Sequence, residues 1–183
     1  MIIDDVINET SERHGPPAAY FYCTRDSSEP RRADSTEILL SILRQLVSSS
    51  HEYIADKPLI PSLLSEWQSR QERDSTDRLN QNESIAIITE ICSIKGAFII
   101  IDALDECSPK NRENLMDSLD FICQNSAVIV NVFVSSRPND YDIKTHFRKI
   151  PRVEISAKFN SHDIKDFGSS QRSRSALLLL TSS

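Results

Sequence analysis

Buried strands alternating with amphipathic helices predict an α/β domain on a mainly parallel sheet. Three observations carry that expectation. The run Phe98-Ile99-Ile100-Ile101 is four large apolar residues in succession, the mark of a strand buried on both faces. A second apolar run at 127–134, broken only by Asn131, repeats the pattern. Between them, Leu115, Leu119, Ile122 and Cys123 recur at helical spacing.

The elements follow in order. Residues 1–13 read as a helix with Ile2, Ile3, Val6 and Ile7 on one face, and Gly15-Pro16-Pro17 ends it. Residues 18–23 form a short aromatic-rich strand. The charged loop 24–33 carries Arg25, Arg31 and Arg32, which are expected to be solvated. Asp34 or Ser35 can cap the next helix, with Glu37 placed for a capping box. There Ile38, Leu39, Ile42, Leu43, Leu46 and Val47 make one apolar stripe. Pro58 and Pro61 bracket a turn, Leu63, Leu64 and Trp67 mark a short helix, and 68–82 are polar and expected to be mobile. Asn82 is the expected cap of a helix carrying Ile85, Ile88, Ile91 and Cys92, which stops at Gly96. A strand at 97–103 comes next. Ser108-Pro109 opens a helix, with proline at the first helical position. Ser135-Ser136-Arg137-Pro138 ends the second buried strand. A short helix is expected around 142–147, a strand at 152–155, and a last helix capped by Asn160 or Ser161. From residue 168 the pattern breaks into Ser and Arg, then Leu177 to Leu180 without context, which reads as a disordered tail. The domain therefore spans 1–167 and the tail 168–183.

Composition narrows the class. A chain of 183 residues fits one domain, and 39% hydrophobic with 26% charged residues is ordinary for a globular protein. A net charge of -6 argues against a nucleic-acid surface. Cys23, Cys92, Cys107 and Cys123 show no C-x-x-C pair, and no histidine lies at zinc-finger spacing. Cys23, Cys92 and Cys123 lie in apolar stretches, as buried free thiols do, which fits a reducing, cytoplasmic setting. No apolar run reaches the length of a membrane helix, and the acidic opening has neither signal-peptide nor mitochondrial character.

The chemistry-bearing residues begin where the first apolar run ends. Ligands of parallel sheets bind outside the carboxyl ends of the strands. Asp102 at such an end can hold magnesium, usually through water, beside a bound phosphate. Asp105 and Glu106 are placed to orient or deprotonate an attacking water. The spacing D-x-x-D-E after four β-formers says more than a lone loop acid. The similar DDxxD diphosphate site of prenyl synthases sits on helices, which the β-rich run Phe98 to Ile101 disfavours. Ser136 and Arg137, at the end of the second strand, are the phosphate-contacting candidates. A guanidinium is always charged and grips phosphate oxygens as a fork. Without a phosphate, Arg137 can instead pair with Asp102 or Asp105. The only glycines are Gly15, Gly96 and Gly168, so the sequence holds no G-x-x-x-x-G-K-[ST] loop.

FIIIDALDEC, VFVSSRP, AAYFYCTRD and TEILLSILRQL together resemble the NACHT-type P-loop NTPases of fungi. More narrowly they are similar to nephrocystin-like N-terminal modules of the signal-transducing STAND class, often followed by repeats. The resemblance implies a three-layer sandwich in which Asp102 is the Walker B magnesium ligand. It also implies Asp105 and Glu106 as an extended acidic pair, Arg137 as phosphate sensor, and Mg2+ with ATP or GTP as cofactors. The family's phosphate loop belongs before residue 1, so the chain reads as a fragment whose first, central strand is missing. That leaves the strand at 127–134 with an open inner edge, an association hazard.

The resulting expectation is a partial NTP-binding signalling module with little or no catalysis of its own. Its parent reaction would be NTP hydrolysis, and its partners proteins or copies of itself. The alternatives are a nucleotide-independent interaction fragment and a gene-model fragment with no function of its own.

Overall fold

A computed structural model describes residues 15–26, 28–49, 78–137, 140–151 and 180–181. The helices expected at 1–13, around 63–67 and after 160, and the strand at 152–155, lie outside the described residues. Strand β1 is Ala18–Tyr22, followed by a 3-10 turn at Pro30–Ala33 and helix α1 at Ser35–Ser49. Helix α2 is Gln81–Lys95 and strand β2 is Ala97–Asp102. A 3-10 turn at Leu104–Glu106 leads to helix α3, Pro109–Asn125. Strand β3 is Val130–Val134, helix α4 is Tyr141–His146, and β4 is the two residues Leu180–Thr181.

The architecture is α/β. The sheet order is β1-β2-β3-β4. β1, β2 and β3 are parallel, and β4 pairs antiparallel with Asn131 and Val132 of β3. The edge of β3 expected to be open is thus covered over two residues. Of the expected tail, only that pair is described.

Alternation along the strands sorts the sheet faces. Ala19, Ile99 and Val132 sit side by side in register, and all three belong to the main core. The stripe on α1 (Ile38, Leu39, Ile42, Leu46) and Ile87, Ile88 and Ile91 on α2 complete that core, joined by Leu115, Leu119 and Ile122 of α3. The intervening row, Tyr20, Ile100 and Phe133, lies on the other face.

Helix ends show which local signals prevail. Asp34 caps α1, accepting from the N–H groups of Thr36 and Glu37 at 3.0 and 3.1 Å. The cap of α2 is Asn80, not Asn82. Asn80 has a glutamate three residues on, so Asn80 and Glu83 exchange the two bonds of a capping box. Asn82 and the helical Gln81 thus leave the segment expected to be mobile. Gly96 ends α2 with φ 75°, and an added Cβ would lie 2.4 Å from the Ile129 carbonyl oxygen. Ser108 caps α3, with Pro109 at its first turn. Both strands are shorter than expected. β2 stops at Asp102, because Ala103 turns left-handed, and β3 starts only at Val130.

The free edge of β1 is not bare. The Gln45 side chain on α1 accepts from the Tyr20 N–H at 3.0 Å and donates to the Tyr20 carbonyl at 2.8 Å. Arg32 donates to the Tyr22 carbonyl at 3.1 Å, and its guanidinium lies 5.6 Å from the centre of the Tyr22 ring.

Candidate functional site

The carboxyl ends of β2 and β3 lie side by side. Ile101 pairs with Val134, so the next residues, Asp102 and Ser135, are neighbours. The Ser135 hydroxyl donates to Asp102 Oδ1. The same hydroxyl accepts from the Ala103 N–H at 3.0 Å, and the Ser135 carbonyl accepts from the Leu104 N–H at 3.0 Å. These bonds hold Ala103 at φ 56° and ψ 48°. A side chain in that left-handed region costs roughly 1–2 kcal/mol, which the clustered bonds offset. The chain reverses there, and the 3-10 turn Leu104–Glu106 brings Asp105 and Glu106 back towards β3.

Arg137 meets both acids. Its backbone N–H donates to Asp105 Oδ1 at 3.1 Å, its Nε lies 3.4 Å from Asp105 Oδ2, and Nη2 donates to Glu106 Oε1 at 2.7 Å. Asp105 is 4% exposed, so this ionic contact neutralises a carboxylate that water barely reaches. Arg137 itself is largely exposed. Its partners are Asp105 and Glu106 rather than Asp102, whose Oδ1 takes the Ser135 hydroxyl. Ser136 stands apart from the acids: it is exposed, with its hydroxyl 3.4 Å from the Arg137 carbonyl.

Two further cations complete the site, and the sequence pattern marked neither. Arg25 is largely exposed, as expected of a solvated loop residue, yet its Nη2 donates to the Asp105 carbonyl at 2.6 Å and its Nε lies 3.8 Å from Glu106 Oε2. The turn of the chain after β1 delivers it, because the Cys23 N–H bonds the Asp102 carbonyl at 2.9 Å. Arg112 on α3 is buried. Its Nη1 lies 3.4 Å from the Asp105 carbonyl and 3.3 Å from Asp140, and its Nε donates to Asp142 at 2.7 Å. It thereby ties the acidic turn to the start of α4. Nothing in the local sequence of α3 separates Arg112 from a surface arginine; only the fold brings Asp140 and Asp142 to it.

A cavity of about 580 Å³ opens between the loop after β1 and the start of α3, lined among others by Thr24, Arg25, Pro30, Glu106, Cys107 and Ser108. Beside it two thiols interact. The Cys23 thiol titrates well above its ordinary range, first because it hydrogen-bonds Cys107 and then through burial. Cys107 is shifted down, chiefly because it receives that bond. Burial pushes the Cys92 thiol, on α2, up to about 12.

Asp102 offers one carboxylate at a strand end, and among the described residues no three metal-ligating side chains cluster. That donor set suits magnesium, which takes one or two carboxylates and otherwise water and substrate phosphates. It does not suit a free ion held by protein alone.

The model of a family described as nephrocystin 3, N-terminal, matches residues 1–137. The matched span includes Asp102, Asp105, Glu106, Ser136 and Arg137. No curated protein and no solved structure gives a match.

Proposed function

The chain belongs to the nephrocystin 3 N-terminal family, and from that premise we propose that it is a NACHT-like nucleotide-switch module of the STAND type carrying half of a phosphate site. One observation carries the reading: the ends of two neighbouring parallel strands present Asp102, Asp105 and Glu106 on one side and Arg137 on the other. Asp102 is the residue to hold magnesium on a nucleotide, where the ion would neutralise phosphate charge. Asp105 and Glu106 are the residues to orient a water at the terminal phosphate. Arg137 is the phosphate sensor, with Ser136 beside it, in reach once the loop turns.

The contacts suggest how such a switch works. With no phosphate present, Arg137 rests on Asp105 and Glu106. A terminal phosphate competes for the same guanidinium with more charge. Pulling Arg137 away would leave buried Asp105 without its cation and loosen the acidic turn. Arg25 and Arg112 reach Asp105 through its carbonyl, so they would keep its backbone in place meanwhile.

The 183 residues include no phosphate loop. Such a loop supplies backbone N–H groups, a helix dipole and a lysine to the phosphates. The proposal therefore includes weak binding and no hydrolysis by this chain alone.

The test joins the chain to a strand and phosphate loop from a family member. In that hybrid, Asp102→Asn should weaken magnesium–nucleotide binding at least about tenfold, the loss of about 1.4 kcal/mol. Arg137→Ala should lower the preference for triphosphate over diphosphate. An unchanged triphosphate-to-diphosphate affinity ratio in Arg137→Ala would remove the sensing role.

A further inference from the structure

One edge of β3 faces β2, and its backbone shows what is left for the other. Just past the strand, the Ser135 N–H donates to the Ile101 carbonyl at 2.9 Å, and the Ser135 carbonyl accepts from the Leu104 N–H at 3.0 Å. Both polar groups of residue 135 therefore turn toward β2. Backbone groups, like side chains, alternate in direction along a strand, so those of Asn131 and Phe133 turn the same way. Those of Val130, Val132 and Val134 turn to the outer edge. All three valines are buried members of the main core. Buried N–H and C=O groups need partners, and an apolar strand edge left bare is a template for another chain.

Among the described residues, the strand that pairs this edge is β4. It runs antiparallel, with Leu180 opposite Val132 and Thr181 opposite Asn131. The register also matches in chemistry, since Asn131 is the polar residue of β3 and meets a threonine. Extending it would put Leu178 opposite Val134, Leu179 opposite Phe133 and Ser182 opposite Val130. Residues 177–183 carry neither charge nor proline, the usual deterrents to strand pairing.

We propose that the outer edge of β3 is a strand-binding site for an extended, uncharged, apolar segment in antiparallel pairing, and that residues 178–182 of this chain occupy it and keep copies of the chain from pairing there. The free edge of β1 is the contrast. There the Gln45 side chain bonds Tyr20, and a side chain cannot be replaced by a passing strand. At β3 the cover is itself backbone, so another strand of the same character can take its place. The inference rests on this pairing and stands without nucleotide binding.

Residue-resolved amide exchange on the full 183-residue chain tests it. Val132 and Val134 should exchange about as slowly as Phe133, whose N–H faces β2. Val132 exchanging at least about tenfold faster than Phe133 would overturn the proposal without any variant. The double substitution Leu180→Pro with Thr181→Pro removes the donors of β4. In that chain Val132 and Val134 should speed by at least about tenfold while Asn131 and Phe133 stay slow. Acceleration of all four alike would overturn the proposal, because the segment would then hold the fold and not the edge. A synthetic peptide of residues 171–183, kept soluble by Arg172 and Arg174, should restore the protection of Val132 and Val134 in the double variant. The same peptide with Leu180→Asp should not. The double variant should also associate with rising concentration in size-exclusion chromatography, and the unaltered peptide should reverse this. A variant that stays monomeric throughout, or a peptide that restores nothing, would overturn the proposal.

Discussion

At the scale of single residues, the site holds one buried cation, Arg112, and one exposed cation, Arg137, that pairs with both acids. Arg137 is largely exposed and bonds two acids that it can leave. Arg137→Ala takes the guanidinium from the buried Asp105 carboxylate but keeps the bond from the backbone N–H at 137, so it should cost about 1 kcal/mol in urea unfolding. Arg112 is different. It is 5% exposed and meets Asp140, Asp142 and the Asp105 carbonyl. Arg112→Met keeps much of the volume but removes those charged hydrogen bonds, and should cost about 1.5–3 kcal/mol in the same measurement. Equal effects at the two positions would mean that the burial difference has no energetic weight. Asp102, Asp105, Glu106 and Arg137 were legible because they lie directly after apolar runs. Arg25 and Arg112 were not, because an arginine between polar neighbours looks the same whether solvated or folded onto a carbonyl.

At the scale of elements, the pattern of apolar residues marked α1, α2, α3, β2 and β3, while the ends answered to finer chemistry. The cap of α2 is the clearest case: two asparagines were available, and the one with a glutamate three residues on prevailed. Gly96 was legible as a helix stop, but its second duty was not, since the close approach of the Ile129 carbonyl belongs to the packing of β2 on β3. Gly96→Ala forces a side chain into a positive φ and against a backbone oxygen. It should cost at least about 2 kcal/mol, read as a lowered melting temperature. Nor could the pattern show that α1 guards the edge of β1. The Gln45 amide bonds both polar groups of Tyr20, as a neighbouring strand would. Gln45→Ala bares that edge. It should cost about 1 kcal/mol and produce concentration-dependent association in size-exclusion chromatography. A variant that stays monomeric at every concentration would show that the glutamine does not protect the edge.

At the scale of the whole molecule, the parallel sheet brings two strand ends into one cluster, within the span matched by the family. The sheet was readable because fully buried strands must be almost wholly apolar, and the sequence has few such runs. The two-residue strand β4 was not foreseen, since Leu180 and Thr181 sit in a stretch with no strand pattern. What the cluster offers is acids and arginines, without the phosphate loop whose amides and lysine grip a nucleotide's phosphates. The most direct measurement is therefore calorimetric titration of the 183-residue chain with ATP and magnesium. A half-site should give no saturation in the micromolar range. A dissociation constant of about 1 micromolar would mean that about -8 kcal/mol comes from these residues alone, which would contradict the half-site outright.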